Sequence, residues 1–144
     1  MLKVVYYTAV DANLTVFSNA YKQIPGQFLE LVMFHRRGCT SMKVREQLRN
    51  HLKDADVFIV QLMGGKESMP EFDAVMGSLD NSVKRFIYGT TETIIAIADE
   101  YNNVSPEVGN ELFNYMAFGG QENILQMLKF ISATYSYLKT EFQP

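Results

Sequence analysis

The chain has 144 residues, of which 47% are hydrophobic and 20% charged, a composition typical of one globular domain. Its formal net charge of −3 and its scattered basic residues argue against a nucleic-acid-binding protein. No apolar run approaches the ~20 residues of a membrane-spanning helix, no signal peptide is recognisable, and the single cysteine, Cys39, excludes an internal disulfide. These features predict a soluble, cytoplasmic domain.

Four apolar runs have the length and the β-branched or aromatic content of strands, and helical patterns separate them. They are residues 3–10, 28–34, 57–63 and 85–88. The first and third runs are continuous rather than alternating, which is typical of parallel strands covered on both faces. The alternation of strands and helices predicts an α/β, flavodoxin-like three-layer sandwich with four parallel strands in the order 2-1-3-4. We expect residues 1–144 to form a single domain with extra C-terminal helices.

Start signals mark several of the helices. Ser41 is predicted to be the N-cap of the second helix, and Ser105-Pro106 supplies a cap and a first-turn proline after the fourth strand. Ser68 and Glu71 have the spacing of a capping box, in which each side chain accepts a hydrogen bond from the other residue's amide. We therefore expect the Ser68 hydroxyl to cap the third helix.

The carboxyl ends of the strands are the expected ligand-binding region. In an open parallel sheet, ligands bind beyond these ends, near the point where the strand order reverses between strands one and three. The segments predicted to meet there are residues 8–13, 35–40, 64–68 and 89–92. The first of these segments contains one threonine and an acidic residue, which disfavours a flavin phosphate loop.

Two of these segments contain candidate ligand-binding residues. Gly64, Gly65 and Lys66 join a strand end to a helix start, which is the setting of an anion site, but their spacing is neither that of a P-loop nor that of a dinucleotide fingerprint. The alternative is a tight turn that requires a positive φ. Thr91 and Glu92 follow the fourth strand, where the hydroxyl is expected to cap the next helix or to contribute to a phosphate cradle.

A second Gly-Gly pair, Gly119 and Gly120, interrupts the helical pattern before Asn123. The structural interpretation is that Gly119 takes the left-handed position after one helix while the following residues cap the next. The other interpretation is contact with a ligand or a further domain. The large side chains around this joint would then be either core or a docking surface: Met116, Met127 and Phe130.

Catalytic and metal-binding signals are weak. His35 and Cys39 are close in sequence, but two ligands fall short of the four that a structural zinc site requires. The sequence suggests no nucleophile–base pair, and paired carboxylates occur only on predicted surfaces. We expect neither a metal site nor a catalytic residue within this domain.

Three blocks of sequence resemble the N-terminal region of the large subunits of tetrapyrrole metal chelatases, the cobaltochelatase and magnesium-chelatase family. The first is QLMGG at residues 61–65, where a buried strand ends in a glycine pair. The second is NVSPEV at residues 103–108, at the start of a helix. The third and most specific is NYMAFGGQENI at residues 114–124, which runs into LKFI at residues 128–131. The resemblance spans most of the chain.

The resemblance implies a function that the residues alone do not. Subunits of that family are very large, bind a tetrapyrrole and insert Co²⁺ or Mg²⁺ with ATP-driven AAA+ partner subunits, in cobalamin or chlorophyll-type biosynthesis. The chain would be the non-catalytic N-terminal domain, with the remainder of the large subunit and the AAA+ subunits as partners. The family's metal and porphyrin residues lie further downstream, so this domain would hold no cofactor. The glycines of both pairs would carry over as structural features.

Two hypotheses follow. The chain is either this chelatase domain or a free-standing flavodoxin-like module that binds a small anionic ligand at the strand ends. Exposure of Met127, Phe130 and Tyr137 as one patch would indicate a surface that further chain covers. An uncovered last helix would also allow a dimer to form through that helix.

Overall fold

The computed structural model describes residues 1–140 and contains one four-stranded sheet. The strands are β1 (Leu2–Thr8), β2 (Leu29–His35), β3 (Val57–Gln61) and β4 (Lys84–Tyr88). All neighbours are parallel and the order is β2-β1-β3-β4, so the predicted topology is confirmed. Every residue of β1 and β3 is buried, which explains why these runs are continuously apolar.

Helices cover both faces of the sheet, as a three-layer sandwich requires. In chain order they are α1 (Ala12–Tyr21), α2 (Met42–Leu52), α3 (Phe72–Ser78), α4 (Glu92–Tyr101), α5 (Pro106–Phe118), α6 (Gly120–Tyr135) and α7 (Tyr137–Thr140). Helices α1, α5 and α6 pack on one face, and α2, α3 and α4 pack on the other. Among the described residues, no helix is both long and apolar enough to cross a membrane.

Neighbouring residues of a strand belong to different cores because successive side chains point to opposite faces. Tyr6 lies in the core under α1, where its ring stacks on Phe17 with 3.7 Å between centroids. Tyr7 lies in the opposite core, and its hydroxyl donates to the Ser68 carbonyl oxygen at 2.5 Å. The two tyrosines therefore bind the sheet to both helical layers.

The last long helix is part of the core and not a bare surface. Met127 is completely buried, Met116 is 7% exposed, and Phe130 is partly buried against the same cluster. Tyr137 remains 48% exposed. The docking interpretation of Met116 and Met127 is therefore wrong, since both fill the space between α5, α6 and the sheet. Dimer formation through the last helix remains a prediction.

Three predicted helix starts are confirmed. The hydroxyl of Ser41 accepts a hydrogen bond from the Val44 amide at 3.4 Å, and that of Ser105 accepts one from the Val108 amide at 3.2 Å. Thr91 caps α4 in the same way. Each of these bonds satisfies an amide that has no partner within its own helix.

The capping box predicted at Ser68 and Glu71 is wrong. Helix α3 begins only at Phe72, after Glu71 adopts a left-handed backbone with φ of 58°. The Ser68 hydroxyl instead accepts from the Met63 amide at 3.0 Å and donates to the Gly65 carbonyl oxygen at 2.8 Å. The Glu71 carboxylate contacts the guanidinium groups of two α2 residues, Arg45 and Arg49. Two charge-assisted contacts outweigh one bond to a neighbouring amide.

Strand β4 is an edge strand whose free amides are covered by the segment after α4. The Asn103 side-chain oxygen accepts from the Arg85 amide, and the Asn102 side-chain oxygen accepts from the Ile87 amide, both at 2.7 Å. The Asn103 amide also donates to the Arg85 carbonyl oxygen at 3.3 Å. Exposed edges invite pairing with other chains, so these two asparagines take the place of a fifth strand.

Candidate functional site

A buried polar network lies where the strand order reverses, between the carboxyl ends of β1 and β3. Gln61 ends β3 and is only 8% exposed. Its side-chain oxygen, Oε1, accepts from the Tyr6 hydroxyl at 2.5 Å, the Thr8 hydroxyl at 3.0 Å and the Asn13 side-chain amide at 2.8 Å. Burial raises the pKa of Tyr6 to about 12, so this hydroxyl keeps its proton and donates. The network joins both central strands to the start of α1.

Two adjoining cavities open at this end of the sheet. The smaller has a volume of about 220 Å³ and lies beyond β3 and β4, with Gln61, Tyr88 and Thr91 in its wall. The larger has a volume of about 490 Å³ and lies beyond β1 and β2, beside Arg36 and Arg37. Val10 and Met63 line both cavities. The four predicted segments therefore do meet at one end of the molecule.

The structure brings Gly64 and Thr91 together. Gly64 has a φ of 84°, so the predicted turn with positive φ is confirmed at this position. Its carbonyl oxygen accepts from the Thr91 hydroxyl at 3.3 Å, and both residues line the smaller cavity. Glu92 is the first residue of α4 and is exposed beside them.

Position 65 requires a glycine for a different reason. Its φ of −168° is ordinary extended backbone, but a Cβ at this position would lie 2.6 Å from the Glu67 carboxylate oxygen Oε2. The glycine pair therefore accommodates the side chain of Glu67 against its backbone. This carboxylate places negative charge where an anionic ligand would be expected.

Lys66 is directed away from both cavities. Its ammonium group lies 3.2 Å from the Asp73 carboxylate and 5.8 Å from the ring centres of Phe72 and Tyr101. The hydrogen bond to Asp73 raises the pKa of Lys66, so the group stays charged over the aromatic faces. Lys66 thus stabilises the packing of α3 against the end of α4.

The second glycine pair lies near the same end of the sheet because Met116, one turn earlier, lines the smaller cavity. Gly119 and Gly120 have φ values of 63° and 82°. The ψ of Gly119 is −167°, which lies outside the left-handed helical region, so the predicted left-handed conformation is wrong although the positive φ is right. The Asn123 side-chain amide donates to the Gly119 carbonyl oxygen at 2.8 Å and so stabilises the connection between α5 and α6.

The larger cavity has a charged rim. The Arg37 guanidinium lies 3.0 Å from the Asp11 carboxylate, whereas Arg36 is exposed and forms no ion pair with any residue in the range 1–140. His35 Nδ1 lies 3.8 Å from an Asp11 carboxylate oxygen and accepts a hydrogen bond from the Gly38 amide at 3.2 Å. This rim can attract anions without a fixed binding geometry.

The described residues include no metal-binding cluster, and their single cysteine is buried. No group of three or more His, Cys, Asp or Glu side chains in this part of the chain is placed to hold a metal ion. Cys39 is buried, and this burial raises the pKa of its thiol, which disfavours the reactive thiolate.

Sequence reasoning missed Gln61 as a site residue. The available signal was one polar residue at the end of the continuous apolar run VFIVQ, where a buried amide requires partners. It also did not single out Arg36 or Met63, whose side chain is 57% exposed at the cavity mouth.

Comparison with known proteins finds a distant similarity to an archaeal protein. No protein-family model matches the chain. The chain is similar to uncharacterized protein MJ0908 of Methanocaldococcus jannaschii, with 23% identity over 144 residues, or 99% of this chain. The chain spans 12% of that protein's length, which corresponds to a relative of roughly 1,200 residues (144/0.12).

Proposed function

We propose that this chain is a non-catalytic N-terminal domain of a tetrapyrrole metal-chelatase large subunit. The large subunit would insert Co²⁺ or Mg²⁺ into its macrocycle together with ATP-driven AAA+ partner subunits. The observation that carries the proposal is the similarity of almost the whole chain to a protein about eight times longer. The glycine blocks at residues 61–65 and 114–124 supply the resemblance to the chelatase family, whose large subunits have this scale.

Surface composition supports a domain that contacts further protein. Phe118 is 80% exposed beside the second glycine pair, and Met63 is 57% exposed beside the first. Phe113 is 39% exposed on the same helix as Phe118. Large apolar side chains gain free energy when another surface covers them. Both glycine blocks of the resemblance thus lie next to an exposed apolar side chain.

The alternative, a free-standing module for a small anion, has weaker support at the first glycine pair. The Glu67 carboxylate lies against the first glycine pair, and Lys66, the one cation of that loop, is paired with Asp73. An anion at this position would meet a negative charge without a free lysine to offset it.

The test of the proposal is reconstitution of metal insertion. Three preparations are compared with the AAA+ partner subunits, ATP, Co²⁺ or Mg²⁺ and the tetrapyrrole: the complete large subunit, the same subunit lacking residues 1–140, and the 144-residue chain alone. Insertion is followed by the absorbance change of the macrocycle. We expect activity from the complete subunit, reduced activity after the deletion, and none from the chain alone.

Two results would refute this proposal. One is metal insertion by the 144-residue chain without the rest of the subunit, which would place catalysis in this domain. The other is a gene in which the reading frame encodes no chelatase sequence beyond this chain. The second result would favour the free-standing module.

A further inference from the structure

We propose that the smaller cavity, beyond the carboxyl ends of β3 and β4, binds a small molecule through an uncharged carbonyl oxygen. The donors are the side-chain nitrogen Nε2 of Gln61 and the first backbone amides of α4. The ligand's apolar body would lie against Val10, Met63 and Met116. This site is independent of whether the chain belongs to a chelatase.

The orientation of the Gln61 amide is the first argument. The structure places the Asn13 side-chain nitrogen, which donates, 2.8 Å from the Gln61 oxygen, which accepts. Tyr6 and Thr8 donate to the same oxygen. Nε2 is therefore turned to the other side, with two N–H groups that find no acceptor among residues 1–140.

This unpaired nitrogen faces the cavity. Gln61 is more than nine-tenths buried, and buried donors without a partner are uncommon in folded proteins. Among residues 1–140, the one fully enclosed side-chain polar atom without a hydrogen-bond partner is Nε of Arg45, so Nε2 of Gln61 is not fully enclosed. Gln61 forms part of the cavity wall. The opening from this nitrogen is therefore into the cavity, where an acceptor can reach it.

Helix α4 supplies the second set of donors. The Thr91 hydroxyl accepts from the Ile94 amide, which leaves the amides of Glu92 and Thr93 without an acceptor in the described structure. Gly89 brings this helix start onto the strand end, because a Cβ there would lie 2.4 Å from the Ile94 side chain. Thr91 and Ile94 both line the cavity, so the positive end of the helix dipole is directed to it.

The charge around the cavity favours a neutral ligand. No Lys or Arg among residues 1–140 lines it: Lys66 is paired with Asp73, and Arg36 lies on the larger cavity. The Glu67 carboxylate sits beside Gly64, and Glu92 is at the helix start. A carbonyl oxygen accepts the same hydrogen bonds as a carboxylate but avoids repulsion by these two acids. The volume of about 220 Å³ is that of roughly seven water molecules, enough for a ring bearing an amide.

The test uses NMR titration of the ¹⁵N-labelled 144-residue chain with benzamide, with benzoate and with inorganic phosphate. The side-chain NH₂ signal of Gln61 reports directly on the proposed donor. We expect benzamide to shift this signal and the backbone amides of Glu92 and Thr93 with one common Kd, of ~1–10 mM for a fragment of this size. Benzoate and phosphate should bind at least several-fold more weakly.

The variant Gln61→Glu tests the role of the nitrogen and keeps an acceptor oxygen for the network. Its carboxylate still accepts from Tyr6, Thr8 and Asn13, but it replaces the donor by an acceptor. We expect benzamide affinity to fall at least tenfold, measured at Glu92 and Thr93. The matched control is Gln47→Glu on the exposed face of α2, which should leave the Kd unchanged.

Three results would overturn the proposal. The first is a Gln61 side-chain signal that does not move at saturating benzamide. The second is equal benzamide affinity in the wild type and the Gln61→Glu variant. The third is tighter binding of benzoate or phosphate than of benzamide, which would make the cavity an anion site. None of these results bears on the reconstituted metal insertion that tests the chelatase proposal.

Discussion

The substitution Gly89→Ala tests how α4 is seated on the sheet. The added Cβ would lie 2.4 Å, 2.5 Å and 2.9 Å from Cγ2, Cδ1 and Cβ of Ile94, whereas carbon atoms normally approach to about 3.5–4.0 Å. Ile94 is 1% exposed and belongs to the core cluster between the sheet and α4, so its side chain would have to shift against packed neighbours. Overpacking of a core costs about 1–3 kcal/mol, and a required shift of this size indicates the upper end.

The net change in stability is smaller than this steric cost. Alanine restricts the unfolded chain more than glycine does, which favours the folded state by about 0.4–1 kcal/mol. We therefore expect Gly89→Ala to lower the free energy of unfolding by about 2 kcal/mol. At about 3 °C per kcal/mol for a domain of this length, the midpoint of thermal unfolding should fall by about 6 °C.

Urea denaturation followed by circular dichroism measures this change. Gly77→Ala is the matched control, because Gly77 lies within α3 and a Cβ there has nothing within 4 Å. That variant should be more stable by about 0.5–1 kcal/mol. In an Ile94→Ala background, the cost of Gly89→Ala should fall, since Cγ2 and Cδ1 are then absent and only the 2.9 Å approach to Cβ remains. The steric explanation would be contradicted if Gly89→Ala were as stable as the wild type. It would also be contradicted if the stability lost in Gly89→Ala were the same with and without the Ile94 side chain.

Three further predictions concern the edge strand, the start of α3 and alkaline pH. Asn103→Ala removes the acceptor of the Arg85 amide, so we expect the free energy of unfolding to fall by about 1–3 kcal/mol and the Arg85 amide to exchange its hydrogen faster. Unchanged exchange at Arg85 would be inconsistent with Asn103 covering the edge of β4. Glu71→Gly and Glu71→Ala both remove the ion pairs, but only glycine adopts a φ of 58° freely. In urea denaturation, the glycine variant should therefore be more stable than the alanine variant by about 1 kcal/mol. Equal stabilities would argue against backbone strain at Glu71. Tyr6 has a pKa of about 12 in the folded state against 10.0 unfolded, so its stabilisation is complete below pH 10 and is lost as pH rises through 12. From pH 8 to pH 11 the wild type should therefore lose about 1.4 kcal/mol more stability than Tyr6→Phe, and parallel losses would refute the assignment.

Much of the fold was predictable because local patterns determine it. Continuous apolar runs identified the buried parallel strands, and hydroxyl residues at Ser41, Thr91 and Ser105 marked helix starts. A capping hydroxyl bonds to the amide three residues later, so both partners of the hydrogen bond lie in the same short stretch of sequence. The same reasoning failed at Ser68 and Glu71, because arginines from another helix compete for the carboxylate.

The candidate site was predictable in position but not in detail. The carboxyl ends of the strands follow from strand order, and the predicted segments do meet there. Which way Lys66 points could not be read from the chain, because Tyr101, one of the two rings it contacts, lies on another helix. Burial of Met127 depends likewise on how α6 packs against the sheet.

The sequence by itself determined the α/β class, the places where strands and helices alternate, and the glycines at the strand end and the helix joint. These features depend on side-chain periodicity and on conformations that only a few residues adopt. Only the tertiary structure decided which polar groups pair. The side-chain oxygen of Gln61 accepts hydrogen bonds from Tyr6, Thr8 and Asn13, about fifty residues earlier in the chain, and its nitrogen has no partner in this network. Hydrogen bonds and ion pairs act over a few ångströms, so they are set once folding brings distant segments into contact.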